Sequence, residues 1–414
     1  MQILISVLFL VIVLLRYKVE LTRKYRITPV FALGIPYGII MLIVTIVDMF
    51  SSEYSYKMSV GVPFYSCIYI LVFIFIGEVV HLLYFKKTSE LKKVNICKED
   101  DKISEIKHEK IYMILTMVFV LYIVIYYIQS FGFSIIDLST IKLAFANGLP
   151  AHLVNFTTGL MLVNFVALLN NKTNSNRKIP YILNILWMVF LIVASTKYSL
   201  FIYVFSIIFA YSYIKFNKIN LKKIAILSIS ASSLFILVYA ARFISQGFNI
   251  KEIPIDFILG HFSFYLTGSF YGYSSIIESG INGSIGFGIL FAPVINFIST
   301  ISGNTLLSTI SDFIPVDMGS TYSSTNVFTL FGALQYETSI LSTIFLVGLI
   351  SFFTYYNYYK MVKYEKIFSV PLNSYICGVL VVSFFNCFYG TLNVWEIIAT
   401  LLVVYYFEKI INKF

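Results

Sequence analysis

Charge is what this sequence has least of. Asp, Glu, Lys and Arg make up 12% of its 414 residues, against about 25% in soluble domains. Such a chain has no polar skin to cover its 59% hydrophobic and 18% aromatic content, and the shortage excludes a water-soluble globular protein. Cysteine is scarce too: the chain has four, Cys67, Cys97, Cys377 and Cys387, with no CxxC spacing. Cys67, Cys377 and Cys387 stand in apolar runs, where cysteine packs as a small hydrophobe, so neither a disulfide nor a zinc site is expected. No Walker loop, HExxH, GxSxG, DxD or glycine-rich dinucleotide turn occurs, which argues against cytoplasmic nucleotide chemistry. Internal repeats and low-complexity tracts are also missing, which weighs against transporters built from repeated halves.

Long apolar runs are there instead. They occupy roughly 1–15, 28–48, 61–84, 111–130, 151–170, 180–195, 198–214, 223–240, 255–278, 285–301, 337–359, 367–389 and 392–408. Each is long enough, or nearly so, to cross about 30 Å of hydrocarbon. The pattern predicts an all-α polytopic bundle of about 11–13 transmembrane helices in one integral membrane domain, 1–414. The first run lacks a basic flank before it and a small-residue cleavage site after it, so it reads as a retained span.

The net charge of +10 is a topology signal rather than a nucleic-acid footprint, because the cations cluster between spans. Segments 16–27, 85–110, 171–179, 215–223, 360–366 and 409–414 hold 25 of the 30 Lys and Arg residues and are assigned to the cytoplasm. The N-terminus is then outside and the C-terminus inside. Only Lys57, Lys142, Lys197, Arg242 and Lys251 face outward. The cytoplasmic loop 85–110 mixes both signs and carries no recognisable chemistry. The outer segment 302–336 has no Lys or Arg and is rich in Ser, Thr, Asn, Gly and Tyr. That mixture of hydroxyls, amides and aromatic faces suits sugars; a hydrated connector is the plain alternative.

Several residues are candidates for chemistry. Lys197 lies between two short spans, and Arg242 and Lys251 lie in the next outward stretch, where they would hold a phosphate or pyrophosphate; snorkelling to lipid headgroups is the competing explanation. His261 lies inside a span, where it acts on protons or ties helices together. Glu78 and Glu396 border apolar runs and each needs a partner or a water-filled cavity. Asp48 and Glu53 form a weak acidic pair in the first outward loop.

The outward Lys197 and Arg242, the stretch FSFYLTGSFYGY and the segment STNVFTLFGALQYETSILSTIFLVG together resemble the Wzy-type O-antigen or oligosaccharide repeat-unit polymerases over about residues 180–360. Asn326, Phe328, Glu337 and Gly348 carry the most specific part. Two departures stand out: Lys197 where such proteins commonly have arginine, and no glycine at their usual spacing after Arg242. The resemblance implies a glycosyltransferase of the bacterial cytoplasmic membrane that needs no cofactor or metal. It would transfer a growing O-antigen or capsule glycan from undecaprenyl pyrophosphate to a lipid-linked repeat unit at the outer face. Arg242 and Lys197 would stabilise the leaving pyrophosphate, and His261, Asp317 or Glu337 would accept the proton. Lys251, Tyr265, Tyr322, Asn326 and Gln335 would line the substrate. The implied partners are the lipid-linked oligosaccharide, membrane lipid and a chain-length regulator protein, with no nucleic acid. A lipid-linked oligosaccharide flippase, an O-antigen ligase and a non-catalytic assembly scaffold are the other readings.

Overall fold

The structure, a computed structural model, describes residues 1–23, 25, 27–50, 57–85, 106, 108–132, 140–141, 144–145, 148–170, 178–194, 197–215, 233, 236, 240, 243–244, 255–280, 283, 286–304, 307, 314–316, 324–364 and 367–411. Thirteen α-helices fall among the described residues. They are α1 (Gln2–Thr22), α2 (Pro29–Phe50), α3 (Gly61–Phe85), α4 (Glu109–Phe131), α5 (Gly148–Asn170), α6 (Lys178–Val193) and α7 (Lys197–Lys215). After them come α8 (Ile255–Ser279), α9 (Gly288–Ser302), α10 (Leu330–Glu337), α11 (Ile340–Tyr364), α12 (Val370–Val381) and α13 (Leu392–Ile411). Twelve overlap the apolar runs read from the sequence; α1 continues seven residues past the run 1–15, and α12 ends eight residues before the end of the run 367–389. The run 223–240 lies outside the described residues save three positions, as does nearly all of loop 85–110.

Eight stretches among the described residues are long and apolar enough to cross a bilayer: α1 to α5, α7 from Tyr198, α11, and α12 with its flanking 3₁₀ turns, Ile367–Phe384. The protein is therefore an all-α, multi-pass membrane bundle. Leu4, Leu15, Phe75, Leu83, Leu121 and Phe353 stand exposed on these helices, as side chains do when the surrounding medium is lipid. Strand structure among the described residues is one antiparallel pair of two residues each, β1 (Ile314–Pro315) and β2 (Ser324–Thr325), with Ile314 opposite Thr325.

The helices group into two compact units. Unit 1 comprises 1–94, 263–363 and 379–395. In it α1 packs on α2 and α3, and α9 meets the 3₁₀ turn at Phe388–Gly390. Arg16, Arg23, Lys360 and Lys363 lie toward one end, where Lys363 Nζ donates to the Tyr84 carbonyl at 2.9 Å. Gln2, whose side chain donates to the Met58 carbonyl, marks the opposite, cation-poor end. Unit 2 comprises 95–262, 364–378 and 396–414. Its centre is α5, buried along most of its length and packed against α4, α6 and α7.

Two features of unit 1 differ from expectation. Strict alternation of spans sends the end of α8 to the cation-rich side. Instead Ser274 accepts from the Ser59 backbone N–H at 2.6 Å, and Ile277 packs at Gly61. The C-terminal end of α8 thus lies at the start of α3, at the cation-poor end. The connection 279–287 contains no Lys or Arg, so charge never argued for the cation-rich side; alternation alone did. The second feature is α10, which begins inside the outer segment 302–336 and ends at Glu337. Eight residues are too few to register as a span, yet all but Gln335 are buried.

Candidate functional site

A polar seam runs through unit 1 at its cation-poor end. Asp48, in the last turn of α2, accepts from the Met58 backbone N–H at 2.8 Å and from the Tyr271 hydroxyl. Both carboxylate oxygens are thereby engaged, one to the approach to α3 and one to α8. Tyr37 donates to Thr329 at 3.1 Å and pairs with Ser66 at 3.0 Å. Thr329 is also the N-cap of α10, accepting from Gly332 N at 3.0 Å. That cap satisfies an otherwise orphaned amide and explains why a helix starts at Leu330.

Gln335 faces two phenols from different helices. Tyr69 of α3 and Tyr273 of α8 both donate to Gln335 Oε1, at 2.8 and 2.7 Å. Close approach makes this possible: a Cβ at Gly332 would stand 2.8 Å from the Tyr273 ring, and one at Gly272 would meet Phe328 and Thr325 at the same distance. Glu337, 6% exposed, ends α10 beside Gly283, whose backbone N–H donates to the Tyr336 carbonyl at 2.6 Å. Hydroxyl, amide and carboxylate groups on four elements therefore converge around a short buried helix.

The cation-rich end of unit 1 holds an ion-pair cluster. Arg16 reaches Glu20 one turn along α1 at 3.1 Å and also Glu78 of α3; Arg23 binds Glu78 at 2.7 Å. Tyr355 of α11 donates to Glu20 at 3.3 Å. Glu78 has the partners that a carboxylate beside an apolar run requires. Arg23 lies beyond the end of α1, and its hydrogen bond to Glu78 raises its pKa further. The cluster ties three helices together and leaves Glu20 fully buried.

Unit 2 places a second carboxylate against a histidine. Glu396, in the second turn of α13, lies 2.5 Å from His152 Nδ1 through Oε1 and accepts from Asn155 Nδ2 at 2.6 Å through Oε2. His152 and Asn155 are three residues apart and share one face of α5. Gly159, two turns after His152, lets α13 come close: a Cβ there would stand 3.0 Å from Thr400 Cγ2. The two helices run the same way, and their N-terminal turns meet at one end. The far end of α13 carries Glu408, held by Tyr112 at 3.0 Å and His108 at 3.3 Å.

Of the residues expected at a site, Asn326, Gln335 and Glu337 fall in one segment of unit 1. Tyr265 stacks on Phe385 at 4.9 Å in the same unit. His261 belongs to unit 2 and stacks on Phe257 one turn earlier in α8, at 5.6 Å. Arg242, Lys251, Asp317 and Tyr322 lie outside the described residues, as does Glu53; Lys197 opens α7, with its side chain outside them. Sequence reasoning marked Glu396 as needing a partner and missed His152, because AHLVN contains no motif and the two helices are more than two hundred residues apart in sequence. Cys387, between α12 and α13, has its thiol pushed up to about 12 by burial, which suits a packing role.

No curated protein and no solved structure matches the chain. A family described as "Family of unknown function (DUF6337)" matches residues 61–414, from the start of α3 to the last residue of the chain, and the protein belongs to that family.

Proposed function

We propose that this protein is a membrane-embedded glycosyltransferase that polymerises lipid-linked glycan repeat units, acting at the cation-poor face and so on the outer side of the bacterial cytoplasmic membrane. The observation that carries the reading is the return of residues 324–337 into unit 1. A hydroxyl-rich segment that ends in a buried helix lined by Tyr69, Tyr273, Gln335 and Glu337 is built at a cost that a mere connector does not repay, and its chemistry suits sugar hydroxyls.

In the reaction, an acceptor sugar hydroxyl attacks the anomeric carbon of the donor glycan. The bond from that carbon to the pyrophosphate oxygen breaks, and its electron pair leaves with undecaprenyl pyrophosphate. A glycosidic bond forms, and the hydroxyl proton passes to a base on the protein. The leaving group is already present in the donor, so no nucleotide is consumed. A fixed outward cation such as Lys197 would stabilise the departing pyrophosphate.

Deletion of the gene in its native host tests the reading, with surface glycan resolved by length and lipid-linked intermediates extracted. Glycan of a single repeat, restored to a ladder by the wild-type gene and not by Lys197→Ala at equal protein level, is expected. An unchanged ladder overturns the reading. Lipid-linked repeat units trapped on the inner leaflet would do so as well, and would identify a flippase.

A further inference from the structure

We propose that the Gln335 carboxamide selects sugars that carry an N-acyl group, by donating its Nε2 hydrogens to the acyl carbonyl oxygen. The assignment rests on the glycan-transfer reading above and adds to it the class of sugar that the polar seam takes. Every residue it uses lies in unit 1.

The direction of the amide follows from its neighbours. Tyr69 and Tyr273 both donate to Gln335 Oε1, at 2.8 and 2.7 Å, so both lone pairs of that oxygen are used. Turning the amide over would take the acceptor away from two phenols at once. Both belong to fully buried side chains, where an unsatisfied hydroxyl is costly. The oxygen therefore faces the phenols, and Nε2, with its two N–H groups, faces the other way. Nε2 makes no hydrogen bond among the described residues. Gln335 is also the one residue of α10 that is not buried. With its oxygen enclosed by two buried rings, the nitrogen is its open polar end, and α10 presents there a donor and no acceptor.

A fixed N–H pair of this kind matches a group that only accepts. A sugar hydroxyl donates as well as accepts, whereas the oxygen of an N-acyl amide or of a carboxylate accepts alone. The charge of the surroundings separates those two. Segment 302–336 supplies no Lys or Arg, and the seam contains the buried carboxyl groups of Asp48 and Glu337, the latter two residues from Gln335. An anionic sugar would enter among acids with no cation from that segment to meet it, and a neutral amide escapes the cost. Tyr65, one turn before Tyr69 on α3 and half-buried, holds its ring near that of Tyr69, with centroids 6.4 Å apart and planes 21° from parallel. Its partly open face suits the acyl methyl group and the apolar face of a sugar ring.

The test uses full-length protein in detergent and saturation-transfer NMR. The probes are the methyl glycosides of N-acetylglucosamine and N-acetylgalactosamine, of their parent hexoses, and of glucuronic acid. In at least one series the acetylated sugar is expected to bind about 10-fold more tightly than its parent, with saturation reaching the acetyl methyl group. Gln335→Glu keeps an accepting oxygen for both phenols and puts an acceptor in place of the N–H pair, so its unfolding temperature should hold while the preference disappears. Gln335→Met lacks the N–H pair without adding charge and gives the same comparison. Equal affinity for acetylated and parent sugars, or a preference unchanged in either variant, overturns the N-acyl assignment and leaves the glycan reading standing. Tighter binding of the glucuronide does the same, making a carboxylate the group recognised. A wild type that gives saturation transfer to none of the sugars overturns the seam as a sugar site and this role with it.

Discussion

Asp48 shows how a carboxylate at membrane depth can serve architecture. Its two oxygens receive Tyr271 and the Met58 N–H, so it ties the end of α2 to the approach to α3 and to α8. Asparagine in its place offers one accepting oxygen where two are used, so either the Met58 N–H or the Tyr271 hydroxyl loses its acceptor. Asp48→Asn is expected to cost about 1–3 kcal/mol, read as a lowered unfolding temperature of the detergent-solubilised protein, with Asp48→Ala at least as damaging.

At the scale of the element, α8 carries the main lesson. Hydropathy located it to within a residue, because apolar length is a local property. Its direction is not local: it depends on how many segments before it cross the bilayer, and the connection 279–287 has no cation to vote on the matter. Impermeant maleimide applied to intact cells should label Ser279→Cys and Asn304→Cys alike and leave Asn357→Cys, near the end of α11, unlabelled until the membrane is opened. Labelling of Ser279→Cys only after permeabilisation would restore the alternating arrangement. The same distinction explains what else could be read. Gln335 and Glu337 were visible as polar residues in an outward segment. That they end in a buried helix depends on Tyr37, Tyr69 and Tyr273 from three distant helices, and no window of sequence contains those contacts. His152 was hidden for the same reason, its partner being supplied by the last helix.

For the molecule as a whole, the family match begins at residue 61, but unit 1 does not. Glu78 takes both its arginines from before that point, Thr329 its contact with Tyr37, and Tyr271 its acceptor Asp48. Glu78 is only half-buried, but without both arginines its charge is left beside an apolar run with no partner from α1. A chain begun at residue 61 is therefore expected to accumulate poorly and to run as aggregate on size-exclusion chromatography, whereas full-length protein runs as a single peak.

The Arg16 and Glu20 pair also bears on how the chain is made. Tyr355 follows Glu20 by 335 residues, so most of translation elapses before α11 exists to receive that acid. Throughout this interval α1 stands in the bilayer with a glutamate near its end, and the arginine one turn earlier is the neutralising group that emerges with it. A helix that carries its own counter-ion can leave the insertion machinery early and wait for its neighbours; one with Arg16 replaced by leucine would have to be held back by a chaperone or be cleared by quality-control proteolysis.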